Sequence, residues 1–170
     1  VVGPQARHPF LWYLWFEYSI PAVLKKHKID LFISPDGYLS LKTDVPSLPV
    51  IHDLNFEHYP EYLPFLVRKY YHFYFSKFAK KAVRIATVSE FSKRDIVKNY
   101  GIDAGMIDVV YNGANETYVP ISEEEKQETR DKYSDGFPFF LFTGALIPRK
   151  NVANIFTGFD QFRKSYLPAA

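Results

Sequence analysis

Apolar residues along this chain change their spacing several times, and each change predicts an element. Residues 10–28 place Trp12, Trp15, Phe16 and Ile20 on one helical face, with Pro21 set to kink or split the helix. The run Ile29-Asp30-Leu31-Phe32-Ile33-Ser34-Pro35 reads as a short buried strand closed by a Pro-Asp-Gly turn. A second strand signal covers 48–53 and stops abruptly at His52-Asp53. Residues 64–82 give the clearest helix. Val67, Tyr71, Tyr74, Phe75, Phe78 and Ala82 make one stripe, and Arg68, Lys69, His72 and Lys80 lie on another.

The alternation continues to the C-terminus. Residues 83–88 predict a strand, with Ser89 as N-cap of a helix through Tyr100 and Gly101 just past its end. Residues 107–111 predict a strand stopped by Asn112-Gly113, and 122–131 a helix opened by a Ser122/Glu125 capping box. An apolar strand over 137–143, a loop over 144–150 and a helix capped by Asn151 follow. That last helix sets Val152, Ile155, Phe156, Phe159 and Phe162 on one face. Short apolar strands alternating with amphipathic helices imply an α/β fold with a doubly wound parallel sheet. The natural boundary lies at 112–120, where small and polar residues follow a strand.

Composition narrows the classes. In 170 residues, 47% hydrophobic content is enough for a core, and the absence of cysteine excludes disulfide scaffolds, thiolate metal sites and cysteine nucleophiles. A net charge of +2 gives no argument for nucleic acid as a partner. No apolar run is long enough to span a bilayer. Aromatic residues make up 18% of the chain, and they cluster with cations in the 64–82 helix, which has no acid. An interfacial helix near anionic lipid has that composition. So does a core-facing helix with a solvated basic face.

Ligands of open α/β sheets bind beyond the carboxyl ends of strands. Three such ends are polar here: His52-Asp53, Ser89-Glu90, and the loop from Gly144 to Arg149-Lys150. Gly144 allows a tight turn, Arg149 and Lys150 bring two cations, and the helix start at Asn151 turns unpaired N–H groups toward them. Together these suit a phosphate or diphosphate. An ordinary strand-to-helix turn with solvated cations has the same spacing. His52 can bond a substrate hydroxyl or move a proton, or be satisfied by backbone. Ser89 and Glu90 are fully explained by capping, and a cleft-lining role is an addition to that. His52, His58 and His72 lack metal-ligand spacing.

Four segments in this order resemble glycosyltransferase family 4, the retaining group 1 glycosyltransferases of GT-B fold. They are Val50-Ile51-His52-Asp53-Leu54, Ala86-Thr87-Val88-Ser89-Glu90-Phe91-Ser92-Lys93, Ile107-Asp108-Val109-Val110-Tyr111-Asn112-Gly113 and Phe140-Leu141-Phe142-Thr143-Gly144-Ala145-Leu146-Ile147-Pro148-Arg149-Lys150-Asn151. The resemblance runs from about Leu48 to the C-terminus and implies an internal piece of a two-domain enzyme. Residues 1–115 would be the latter part of an acceptor-side Rossmann-like domain, 116–136 the crossing, and 137–170 the first strand, loop and helix of a nucleotide-sugar-binding domain. The sheets would then be incomplete at both ends and the piece inactive alone. Its site would hold His52 and Asp53 as catalytic residues, with Asp53 orienting His52 or its loop. Gly144, Arg149 and Lys150 would bind the donor diphosphate. Ala145 stands where the family often has an arginine.

The same resemblance implies transfer of mannose or glucose from a nucleotide-diphosphate sugar to a glycan or lipid-linked acceptor, with no cofactor and no metal. A cytoplasmic enzyme, peripheral at the inner face of the membrane, would fit. Exposed strand edges and rings would favour self-association of the piece. The rival readings are a non-catalytic α/β module that binds a nucleotide or a partner, and a membrane-surface piece built on the 64–82 helix.

Overall fold

A computed structural model describes residues 8–166. The chain divides into two compact units, Val1–Ala114 and Asn115–Ala170.

The first unit opens with α1 (Pro9–Leu14), a π-helical turn over Trp15–Ser19 and α2 (Ile20–Lys26). The predicted 10–28 helix is thus one rod with a widened turn. Pro21 explains it: in a regular helix its ring would collide with the carbonyl four residues back, at Glu17, and a π turn moves that carbonyl aside. Glu17 itself is buried and accepts the Leu41 N–H at 2.9 Å, tying the rod to the loop after the first strand.

Four short parallel strands follow: β1 (Phe32–Ser34), β2 (Ser47–Pro49), β3 (Ile85–Thr87) and β4 (Ile107–Val109). They form two pairs, β1 with β2 and β3 with β4, joined by a single parallel bridge between Val50 and Ala86. Pro49 accounts for the break. Val50 donates to Ser34 on the β1 side and Ile51 to Ala86 on the β3 side, so the alternating pattern turns the Pro49 nitrogen toward β3, where it has no proton to give. Each strand is shorter than its apolar run. His52 and Asp53, expected at the end of the second strand, lie in the loop just beyond it.

The helices of this unit are α3 (Asn55–His58), α4 (Phe65–Lys81) and α5 (Glu90–Tyr100), with a 3₁₀ turn over Pro60–Tyr62. As expected, Ser89 caps α5 by accepting the Ser92 N–H, and Gly101 closes it in the left-handed conformation. The buried side of α4 is Tyr70, Phe75, Phe78 and Ala79, rotated slightly from the predicted stripe because Tyr71 and Tyr74 are only partly covered. These side chains meet Leu39, Ile51, Leu54, Phe56, Ile85, Ile96 and Ile107 in one core. Rings fill much of it: Trp12 stacks on Tyr71, Phe56 and Phe75 meet edge to face at 4.8 Å, and the Tyr38 and Tyr71 hydroxyls bond at 2.7 Å. Burial pushes the Tyr38 and Tyr70 phenols well above their ordinary range.

The second unit holds α6 (Glu123–Ser134), opened by the predicted Ser122/Glu125 capping box, a 3₁₀ turn over Pro148–Lys150 and α7 (Val152–Tyr166). Neither long helix has a buried residue. The strand expected over 137–143 is not formed: the segment has no ladder partner among the described residues, and an unpaired run makes no sheet. Its Phe140 instead lies against Phe159 and Phe162 of α7, with ring centroids 5.8 and 6.0 Å away. Among the described residues, no helix is long and apolar enough to cross a membrane.

Candidate functional site

The carboxyl ends of three strands converge on His52. Its Nε2 lies 2.9 Å from the carbonyl oxygen of Pro35, just past β1. A carbonyl can only accept, so Nε2 carries the proton and donates, which leaves Nδ1 as the acceptor of the neutral ring. The backbone on either side is fixed from β3 and α5. Thr87 Oγ1 donates to the Ile51 carbonyl at 2.6 Å, and Ser92 Oγ to the His52 carbonyl at 2.9 Å. Ser89 Oγ in turn donates to Ser92 Oγ at 3.0 Å. The imidazole is exposed, while Ile51, Thr87 and Ser92 are buried. The ring is thus open to solvent while the Ile51 and His52 carbonyls behind it are tied down.

Gly37 makes this arrangement possible. It sits at φ +79° in the turn after Pro35, and a Cβ there would come within 3.2 Å of the Phe75 ring. The turn can press against the core only without a side chain, and that contact sets where the Pro35 carbonyl points.

Asp53 does something other than orient the imidazole. Its Oδ1 accepts the Asn55 N–H at 3.0 Å, which secures the first turn of α3 and so the loop. Glu90 is exposed in the first turn of α5, and Ser89 is half-buried in the relay that reaches the His52 carbonyl. Two residues beside Ser89 were missed by sequence reasoning. Ser92 follows it by one helical turn, the only sequence hint of a shared role, and Thr87 read simply as a strand residue.

In the second unit, Gly144 lies at φ +147°, a conformation that side chains disfavour. Arg149 and Lys150 occupy the 3₁₀ turn, and every residue from Gly144 to Asn151 is exposed. Asn151 was expected as a helix cap. It takes the left-handed conformation at φ 52° between the 3₁₀ turn and α7, and its carbonyl accepts the Asn154 N–H at 3.1 Å. The first N–H groups of α7 have no acceptor within the helix, so two cations and a helix start share this turn.

Two other histidines, His58 and His72, are engaged by carboxylates. His58 Nε2 pairs with Asp95 at 2.7 Å, His72 Nδ1 with Glu57 at 2.7 Å, and the Tyr100 hydroxyl donates to Glu57 at 2.9 Å. Burial, reinforced by Glu57, pushes the Tyr100 phenol well above its usual range. These bonds bind α3 to α4 and α5 beneath the His52 loop. Among the described residues, no three of His, Asp and Glu gather as metal ligands. An open hollow lies elsewhere, against α4.

The fold and this loop define an α/β protein with an exposed histidine at the carboxyl edge of parallel strands. Comparison with known proteins carries this further: the model of Glycosyltransferase Family 4 matches residues 1–118, and the chain belongs to that family. The match reaches to the start of the chain, well before Leu48, where the sequence resemblance begins. It includes His52, Asp53, Ser89 and Glu90 and stops short of Gly144, Arg149 and Lys150. The chain is 28% identical over 116 residues to the O-antigen chain mannosyltransferase RfbU of Salmonella typhimurium, covering 68% of this chain and 29% of that protein. It is 25% identical over 138 residues to O-antigen chain mannosyltransferase B of Escherichia coli, covering 81% of this chain and 36% of that protein. It therefore spans about a third of the length of these relatives.

Proposed function

We propose that this chain is part of a retaining glycosyltransferase that moves mannose from a nucleoside-diphosphate donor to a growing glycan, free or lipid-linked. The observation that carries the reading is the His52 loop, whose exposed ring bonds the Pro35 carbonyl while bonds from β3 and α5 fix its backbone. Mannose follows from the names of the two relatives. In this reading His52 Nδ1 accepts a hydrogen bond from a hydroxyl of the transferred sugar and orients its anomeric carbon. Asp53 keeps the loop in shape by holding the start of α3.

Cleaving a glycosyl–phosphate bond leaves negative charge on the departing diphosphate. Arg149, Lys150 and the N–H groups at the start of α7 stabilise it, and one such donor contributes about 3–4 kcal/mol to the transition state. The leaving phosphate oxygen itself takes the proton of the acceptor hydroxyl on the face it departs from, so the configuration is retained without a protein nucleophile or a metal. The protein works at the inner face of the cytoplasmic membrane.

The test is release of nucleoside diphosphate from a nucleoside-diphosphate mannose by the full-length reading frame. Lys150→Ala lowers kcat/KM by on the order of 10²-fold. Unchanged turnover in that variant removes the diphosphate role of this turn.

A further inference from the structure

One face of the first unit has no part in sugar transfer as proposed. Along its 17 residues α4 carries Arg68, Lys69, Lys77, Lys80 and Lys81 and no acid. Lys81 is drawn inward, donating to the Leu41 carbonyl at 2.9 Å. The outward stripe runs Leu66, Lys69, Phe73, Lys77, Lys80 at helical spacing, with Phe65 beside it. Its apolar members are not hidden: Phe65, Leu66 and Phe73 are 59%, 51% and 55% exposed. Just before the helix, the half-exposed rings of Tyr59 and Tyr62 stack with centroids 5.7 Å apart.

Cations and rings are interleaved in space as well as in sequence. The Lys77 ammonium sits 3.1 Å from the Phe73 centroid, and Lys69 and Arg68 lie 5.4 and 5.7 Å from that of Phe65. Between the 3₁₀ turn and α4 is an open hollow of about 600 Å³ lined by Pro60, Arg68, Lys69, His72 and Phe73. Its walls are mainly apolar, with the cations among them. Of the nearby acids, Glu57 is taken by His72 and Tyr100, while Glu61 stands in the 3₁₀ turn.

A solvated basic face needs no large exposed rings, and a face meant for a core would not carry a lysine on successive turns. Rings that reach the headgroup boundary beside cations that stay at the phosphate level match the surface of a bilayer containing anionic lipid. We propose that this face of α4, with Tyr59 and Tyr62, docks on an anionic membrane surface. Phe65, Leu66 and Phe73 enter the boundary region, Arg68 and Lys69 meet lipid phosphates at the hollow, and Lys77 and Lys80 add attraction farther along the helix. Docking is independent of the transfer reading, and its test needs no donor.

The experiment is flotation of the 170-residue chain with phosphatidylcholine vesicles, with and without phosphatidylglycerol. The chain floats with the anionic vesicles and far less with the neutral ones. Lys69→Glu with Lys77→Glu lowers partition at least about tenfold, as each cation near such a surface contributes appreciably. Phe65→Ser with Phe73→Ser also lowers it while the circular dichroism spectrum is retained, since both side chains are exposed. Arg94→Glu with Lys98→Glu on α5 makes the same charge change elsewhere and has little effect. The proposal is overturned if the chain does not float, if neutral vesicles bind it equally, or if the α5 pair matters as much as the α4 pair. It is also overturned if sedimentation velocity shows dimers that the Phe73 variant dissolves, because a second copy would then own the face.

Discussion

The two units of this chain are similarly rich in rings and differ in what the rings do. In the first, helices lie across parallel strands, and Phe78, Ile51, Ile85 and Ile107 vanish from solvent. In the second, Phe140, Phe156, Phe159 and Phe162 are all exposed, although Phe140, Phe159 and Phe162 touch one another. An apolar stripe becomes a core only when a second element faces it. The first unit has those pairs, and the second has two helices and an unpaired apolar segment that meet too little of each other.

The sharpest way to break this contrast is to cut the same side chain in each unit. Phe78→Ala should cost about 3–5 kcal/mol, the usual penalty for emptying a buried phenylalanine site. Phe159→Ala, on an exposed face, should stay within about 1 kcal/mol. Urea titration followed by far-ultraviolet circular dichroism registers helices of both units, α4 in the first and α7 in the second, so it reads both losses. Equal losses would refute the difference in burial.

Next in size is Gly37→Ala. A side chain at φ +79°, 3.2 Å from the Phe75 ring, should cost about 1–3 kcal/mol in the same titration. It should also shift the His52 ring resonances, because the turn sets the Pro35 carbonyl. Ser92→Ala should cost about 1–3 kcal/mol, since it strips the donor from the His52 carbonyl.

The smallest effect belongs to the sheet edge. Arg84 donates twice to the Asp108 carboxylate, both at 2.7 Å, and this holds the carboxyl below its ordinary value of 3.8. A lowered folded-state value means the pair's stabilisation is full above 3.8 and is lost as pH falls through the folded value. Asp108→Asn should therefore lower the melting temperature slightly at neutral pH, with the gap to wild type closing in acid. A constant gap would mean that the carboxylate's charge is not what matters.

Several helices were legible in sequence because their signals are local. Ser89 and Gly101 bound α5 and the ring-rich stripe marks α4 in the first unit, and Ser122 and Glu125 open α6 in the second. What was hidden depends on distant partners. Nothing near Pro49 says that its missing N–H faces β3. A π turn before Pro21 is a tertiary accommodation, with Glu17 held by Leu41. The segment 137–143 has the apolar content of a strand, but pairing is a property of two segments. For the site, His52 was readable as a polar strand end. Its tautomer was not, because Pro35 lies 17 residues away, and neither was the shared role of Thr87 and Ser92. Asp53 was read toward the imidazole or its loop, and its bond goes to the loop.

The claim at the centre is that the His52 ring, held by Pro35 and presented by a bonded backbone, meets the sugar being transferred. Its most direct test is transfer from nucleoside-diphosphate mannose by the full-length reading frame carrying His52→Ala, with the unfolding midpoint measured alongside. The expected result is a fall in kcat on the order of 10²-fold with the midpoint nearly unmoved, since the ring is exposed. Wild-type turnover in a folded His52→Ala protein would contradict the account.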